Sequence, residues 1–265
     1  MRLHFDRFPN GLNKALTVSF DDGRDYDRQL VQKLNTYGIR GTFHLNSGNL
    51  GKAGYIGREE VEPLYQGHEV SAHTVDHPAL PDLPPEQIVE QIRKDRLALE
   101  QLVHYPVKGM SYPYGAYNDE VAVLVQAAGM EYARTVNSHG SYHKPEDWLR
   151  WHPTCHHKEM LEYADPYIRL EQSHPGMAVF YVWGHSYEFE EDQNWELLDR
   201  FGELAGGRED IWYATNAEIF SYCQAVDRLR LSADRRLLHN PSAQAIWVSK
   251  DGEAVEIKAG EIIRL

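Results

Sequence analysis

The 265-residue chain has only two cysteines, Cys155 and Cys223. That leaves no disulfide framework and makes a reducing compartment the default. No run approaches the roughly 20 apolar residues that a membrane-spanning helix needs. The opening residues, "MRLHFDRFPNGLNKALTV", hold neither the apolar stretch nor the small-residue cleavage site of a signal peptide. The expectation is a soluble, cytoplasmic protein with no membrane partner. Basic residues are in deficit too, 27 Lys and Arg against 40 Asp and Glu, for a formal net charge of -13. Long-range attraction to a polyanion is thereby excluded, so no nucleic-acid partner is expected. No internal repeat or low-complexity linker divides the chain.

What is present is a βα alternation. Hydrophobic residues make up 42% of the chain, enough for one large α/β domain. "ALTVSF" reads as a strand and leads into "DYDRQLVQKLNTYG", where Leu30, Val31, Leu34 and Tyr37 share a helical stripe. Further strands are expected at "GTFHLN", "HEVSAHT", "VKGMSYPYG", "MEYARTV", "WLRWHPT", "MAVFYVWGH" and "DIWYAT". Helices are expected between them, the clearest being "LPPEQIVEQIRKDRLALEQLV" with its prolines at the start; another spans 158–173. Such alternation implies a parallel sheet covered by helices. Seven to eight units before about residue 227 favour a closed or nearly closed (β/α) barrel over an open sheet. From 228 to 265 the pattern changes to period-two alternation with a Lys-Asp-Gly turn, a small β appendage packed on the barrel.

Barrel chemistry sits at the C-terminal ends of strands. Polar residues collect there: Asp21 and Asp22, Asn46, His73, Tyr114, His152, His185 and Asn216. Asp21 and Asp22 repel each other at the end of an apolar strand, and a bound cation would offset that repulsion. In "AHTVDH", His73 and His77 stand four apart, so a helical turn would put both imidazoles on one face. Two histidines and one carboxylate leave an open position for water, the pattern of a catalytic zinc. The other acid is then placed to accept a proton. A lone Asp-Asp-Gly is an ordinary turn and a lone His-x3-His an ordinary solvated pair. Their joint occurrence at two strand ends points to a metal.

These stretches resemble known motifs. "SFDDG" is similar to the first motif of the polysaccharide deacetylase (NodB-homology) superfamily, carbohydrate esterase family four. "HTVDH" resembles its second, "SYPYG" its third, and "WGH" at 183–185 the end of its last. The resemblance implies a distorted (β/α) barrel that removes acetyl groups from sugars with a divalent ion, most often Zn2+, with Co2+, Mn2+ or Ni2+ as substitutes. It implies Asp22, His73 and His77 as ligands, Asp21 as general base and His185 as general acid. It implies that the backbone N–H of Tyr114, after Pro113, steadies the oxyanion. The family's arginine in the third motif is Ser111 here, so the support of Asp21 must come from elsewhere. The fourth motif, Asp-x-x-Asp-Trp, is met only at Asp147 and Trp148. Trp183 and Val182 are read either as walls of an acetyl pocket or, for Trp183, as core.

"HPTCHHKE" gathers His152, Cys155, His156 and His157. It is read as a second metal site or as a substrate contact, His156 foremost. The implied activity is acetyl removal, from nitrogen or oxygen, on an oligosaccharide or small metabolite. The alternatives are hydrolysis of a non-sugar amide and a metal-holding barrel that only binds glycans.

Overall fold

The computed structural model describes residues 2–171 and 176–265; the last two positions of the helix expected at 158–173 lie outside them. Among the described residues there are fourteen strands: β1 (Leu3–His4), β2 (Lys14–Asp22), β3 (Gly41–Leu45), β4 (Glu69–Ala72), β5 (Gly109–Ser111), β6 (Tyr132–Arg134), β7 (Cys155–His156), β8 (Ala178–His185), β9 (Trp212–Tyr213), β10 (Arg230–Leu231), β11 (Leu237–His239), β12 (Ile246–Lys250), β13 (Glu253–Ile257) and β14 (Ile262–Arg264). The α-helices are α1 (Asp27–Thr36), α2 (Val61–Leu64), α3 (Pro85–Val103), α4 (Asp119–Ala127), α5 (Met160–Ile168), α6 (Ser186–Glu191), α7 (Glu196–Ala205) and α8 (Asn216–Asp227). None of them is long and apolar enough to cross a membrane.

The main sheet is parallel, in the order β6-β5-β4-β3-β2-β8-β7, and β9 joins the start of β2. Its two ends meet. Trp151 bridges Arg134 in parallel: its N–H donates to Ala133 O, and Thr135 N–H donates to Trp151 O. Four residues later the same segment becomes β7. One bridge therefore closes the sheet into a distorted barrel.

The stretch expected as a strand from Trp148 is instead a 3-10 turn over Trp148–Arg150, because the Asp147 carboxylate caps Leu149 N–H at 2.9 Å. Extended pairing begins only at Trp151. The helices follow their sequence signals. Along α3, Ile88, Ile92, Leu99 and Val103 are buried, and His104 ends the helix in a left-handed turn. Asn118 caps α4 through Val121 N–H.

Strand alternation sorts the core into two. Leu16, Val18 and Phe20 of β2 face outward with Phe43, Val70, Phe180 and Val182, and pack under the helices. The barrel interior is polar: Thr17 bonds Asn216, which bonds Tyr181, which meets Ser19. Asn216 is thus not at the C-terminal rim. It begins α8, which lies across the N-terminal mouth of the barrel. There Ile219, Phe220 and Tyr222 pack with Ala15, Tyr132 and Val179. The C-terminal strands form two three-stranded antiparallel sheets, and β1 joins one of them beside β12. Their Leu238, Ile246, Val248 and Ile257 bury into the cluster around α8, which leaves the opposite rim clear.

Candidate active site

At the C-terminal end of β2, Ser19 and Asp21 point into the barrel. Asp21 pairs in register with His44 of β3 and with His185 of β8. Asp22 has φ of 80° and Gly23 of 67°, so the chain turns left-handed straight after the strand. Asp tolerates that region better than most residues and glycine best. The turn sends the two adjacent carboxylates to different places: Asp21 is buried, while Asp22 stands half-buried at the rim.

His73 and His77 follow β4. The segment between them is not a helical turn, since Thr74 and His77 both have positive φ. It is a loop held by side chains. Asn46 Nδ2 donates to the carbonyls of His73 and Thr74, and Asp95 of α3 accepts from Ser47 N–H at 2.7 Å and His73 N–H at 2.9 Å. The imidazoles still converge, with ring centres 4.6 Å apart.

Asp22 Oδ1 lies 3.6 Å from His73 Nε2 and 3.7 Å from His77 Nε2. His73 Nδ1 is 2.9 Å from Ser111 O and so carries the ring proton. That leaves the Nε2 lone pair free, and Nε2 is a buried atom with no hydrogen-bond partner. Burial lowers the His73 pKa and favours the neutral ring. A fixed tautomer, an orphaned buried nitrogen and a carboxylate within reach fit a divalent cation.

Asp21 is held from two other strands. Arg134 of β6 pairs with its Oδ2, fully buried, and Ser111 Oγ donates to its Oδ1 at 3.2 Å. Ser111 Oγ also lies 2.7 Å from His73 Nδ1, which links Asp21 to His73. The guanidinium of Arg134 sits 4.6 Å over the Trp183 ring. Burial opposes ionisation of Asp21, but Arg134 and then His73 outweigh it and hold the carboxyl well below the usual range. The arginine missing from "SYPYG" is thus replaced by one on the next strand.

Across the opening, His185 ends β8. Its Nδ1 donates to Glu188 Oε2 at 2.9 Å, and its backbone N–H donates to the same oxygen at 3.2 Å. Burial works against the charged ring. The Glu188 hydrogen bond and the charges of Asp21 and Asp22 prevail and raise the His185 pKa. Its Nε2 is left for chemistry. His156 Nε2 donates to Glu188 Oε2 as well, at 3.1 Å, while its ring meets Trp183 edge-on.

The turn at Pro113–Gly115 places Tyr114 with φ of 58° and its side chain 70% exposed against His77. Among the described residues its backbone N–H has no acceptor. Trp183 faces the site; Val182, one position away, faces outward and is core. Asp147 and Trp148 are not brought here. Asp147 pairs with Arg150, and Trp148 packs on Phe220 of α8, toward the closed mouth. Arg134, the role of Glu188 as partner of His185, and Asp95 were not anticipated. An arginine inside the apolar strand "MEYARTV" was the available signal for the first; the three-residue spacing from His185 to Glu188 was the signal for the second.

A closed parallel barrel thus gathers paired carboxylates and imidazoles at its C-terminal rim. The family model described as polysaccharide deacetylase matches residues 9–133. Over that stretch, just under half of its length, the chain resembles that family. It is 32% identical over 113 residues to the peptidoglycan-N-acetylglucosamine deacetylase PgdA of Listeria monocytogenes, covering 42% of this chain and 23% of that protein. It is 27% identical over 144 residues to a peptidoglycan-N-acetylglucosamine deacetylase of Bacillus cereus, 53% of this chain and 62% of that one. The chain thus spans less than two thirds of either relative. Its fold is similar to the CE4 domain of a multidomain xylanase from the hindgut metagenome of Trinervitermes trinervoides, with TM-score 0.57 and 16% identity over 80% of this chain and 93% of that one.

Proposed function

We propose that the chain is a metal-dependent deacetylase that cleaves the acetamide of an N-acetylated sugar in an oligosaccharide. The observation that carries this reading is the register of Asp21 with His185 across the Asp22, His73 and His77 cluster. Base, candidate ligands and acid thereby face one opening.

Asp22, His73 and His77 would hold the cation, and zinc suits a set of two imidazoles and one carboxylate. When bound, it supplies Lewis-acid charge at the scissile carbonyl and an acidified water. Asp21, ionised and steered by Arg134 and Ser111, takes the proton from the attacking water. The free N–H of Tyr114 donates to the developing oxyanion; losing such a donor costs about 10²–10³ in rate. His185 Nε2, kept protonated by its bond to Glu188, gives a proton to the departing amine. Trp183 and the exposed Tyr114 ring offer flat faces for a sugar.

The test is acetate release from N-acetylglucosamine oligomers and peptidoglycan fragments, with added zinc and with chelator. Metal-dependent release that disappears in Asp21→Asn and His73→Ala is expected. Release unaffected by chelator would refute the metal assignment. Tight zinc binding without release would leave a glycan-binding barrel.

A further inference from the structure

The second histidine cluster is left over by this mechanism. His156 ends β7, His157 opens the next turn, and Glu188 reaches back from α6. Glu188 Oε2 lies 3.1 Å from His156 Nε2 and 3.7 Å from His157 Nδ1. The candidate ligand atoms of the three all lie within 4.8 Å of one another, as do those of Asp22, His73 and His77. The two clusters have the same size and composition, two imidazoles and one carboxylate.

His157 is the unexplained member. It is fully buried, and neither ring nitrogen has a hydrogen-bond partner. Such a group destabilises the fold unless something satisfies it. Phe189 packs on its ring at 4.2 Å, so water is kept off. Nδ1 lies on the side of Glu188, and the ring fits only because residue 184 is glycine, where an added Cβ would stand 2.1 Å from that nitrogen. Glu188 Oε2 is meanwhile crowded, with His156 Nε2, His185 Nδ1 and His185 N–H all within 3.2 Å. One oxygen cannot accept well from three donors and also meet a fourth nitrogen.

We propose that His156, His157 and Glu188 form a second divalent-cation site of the zinc class, and that filling it inhibits the enzyme. Imidazole and carboxylate donors select zinc, nickel or copper over magnesium or calcium. Binding moves the His156 proton from Nε2 to Nδ1 and gives up only a 3.4 Å contact from Lys158 N–H. That shift keeps the His156 ring neutral, and no other reactant is needed. Lys158 is already matched by Asp192 at 2.7 Å. A cation that engages Glu188 takes it from His185, so the acid loses the partner that fixes its tautomer. The inhibition rests on the deacetylase reading; the site itself does not.

The experiment is zinc stoichiometry by equilibrium dialysis on the full chain, followed by acetate release across the same zinc range. Wild type should bind two equivalents. His156→Ala, a change at a partly exposed side chain, should bind one, and so should Glu188→Gln. His73→Ala should keep the second equivalent. Activity should rise with the first equivalent and fall with the second, and in His156→Ala the fall should move to at least tenfold higher zinc. One equivalent in wild type, or two in both His156→Ala and Glu188→Gln, overturns the site. Two equivalents with no fall in wild-type activity overturns the inhibition. If no variant releases acetate, the stoichiometry still decides the site, and only the deacetylase reading fails.

Discussion

Asp21 and His185 face each other in register on adjacent strands, yet they are held by opposite means. Asp21 is buried and gripped by Arg134 and Ser111, which are 113 and 90 residues away in sequence. His185 is partly exposed and held by Glu188, three residues on in the same turn. A carboxylate in the barrel interior needs a charged partner to stay ionised, and only another strand can reach it there. An imidazole at the rim needs only a carboxylate to fix its tautomer, which the next helical turn supplies. The proposed base is thus a property of the closed barrel, while the proposed acid is largely a property of one local turn. Changes on the base side should therefore cost folding as well as rate. Changes on the acid side should cost mainly rate and pH range.

The largest effect is expected from Asp21→Asn. Turnover should fall by about 10²–10⁴-fold, as for loss of a positioned base. Zinc content measured on the same protein should stay near wild type, because Asp22, His73 and His77 remain. Loss of zinc together with activity would move Asp21 into the ligand set and break the comparison.

Arg134→Ala comes next. It leaves a buried carboxylate unpaired, at about 3–5 kcal/mol in urea unfolding. Adding Asp21→Asn should recover part of that loss, since the uncompensated charge is gone. A single variant as stable as wild type would show that Ser111 suffices. Smaller again is Asp95→Asn, which keeps one of two acceptors for the N–H groups of Ser47 and His73. Zinc affinity should drop by about 10-fold through the misplaced His73, as for other groups that orient ligands. Competition against a chelator would measure it, and unchanged affinity would mean that Asn46 alone fixes the loop.

The same contrast explains what was legible in the sequence. The βα alternation was written in apolar periodicity, and "SFDDG" and "AHTVDH" each put their candidate ligands in one short stretch, although Asn46 and Asp95 set the loop of the second. Closure was expected from the number of units, but its seam was not legible, because nothing local tells that Trp151 bridges Arg134 at the far end of the sheet. Nor was Arg134, since nothing local tells which buried carboxylate it meets across the barrel. Asp147 and Trp148 misled for a related reason. Their spacing suits a motif, but capping of Leu149 and packing on Phe220 take them toward the plugged mouth. Asn216 was read as a rim residue because it follows an apparent strand, and the cap of α8 carries it inside instead.

The smallest change, Glu188→Gln, tests the local half. As the proposed acid, His185 would act in its protonated form, so activity should fall as pH rises through its pKa. Glu188 holds that pKa above the ordinary histidine value, which places the alkaline limb of kcat/KM above about 6.5. Glutamine still accepts from Nδ1–H through its carbonyl but lacks the charge. The His185 pKa should then drop, and the alkaline limb should move to lower pH. Well below the limb, where His185 is protonated in both proteins, the two rates should lie within about 10-fold. A limb that stays in place would mean that Asp21 and Asp22 alone keep His185 charged, and the acid would then depend on the barrel as much as the base does.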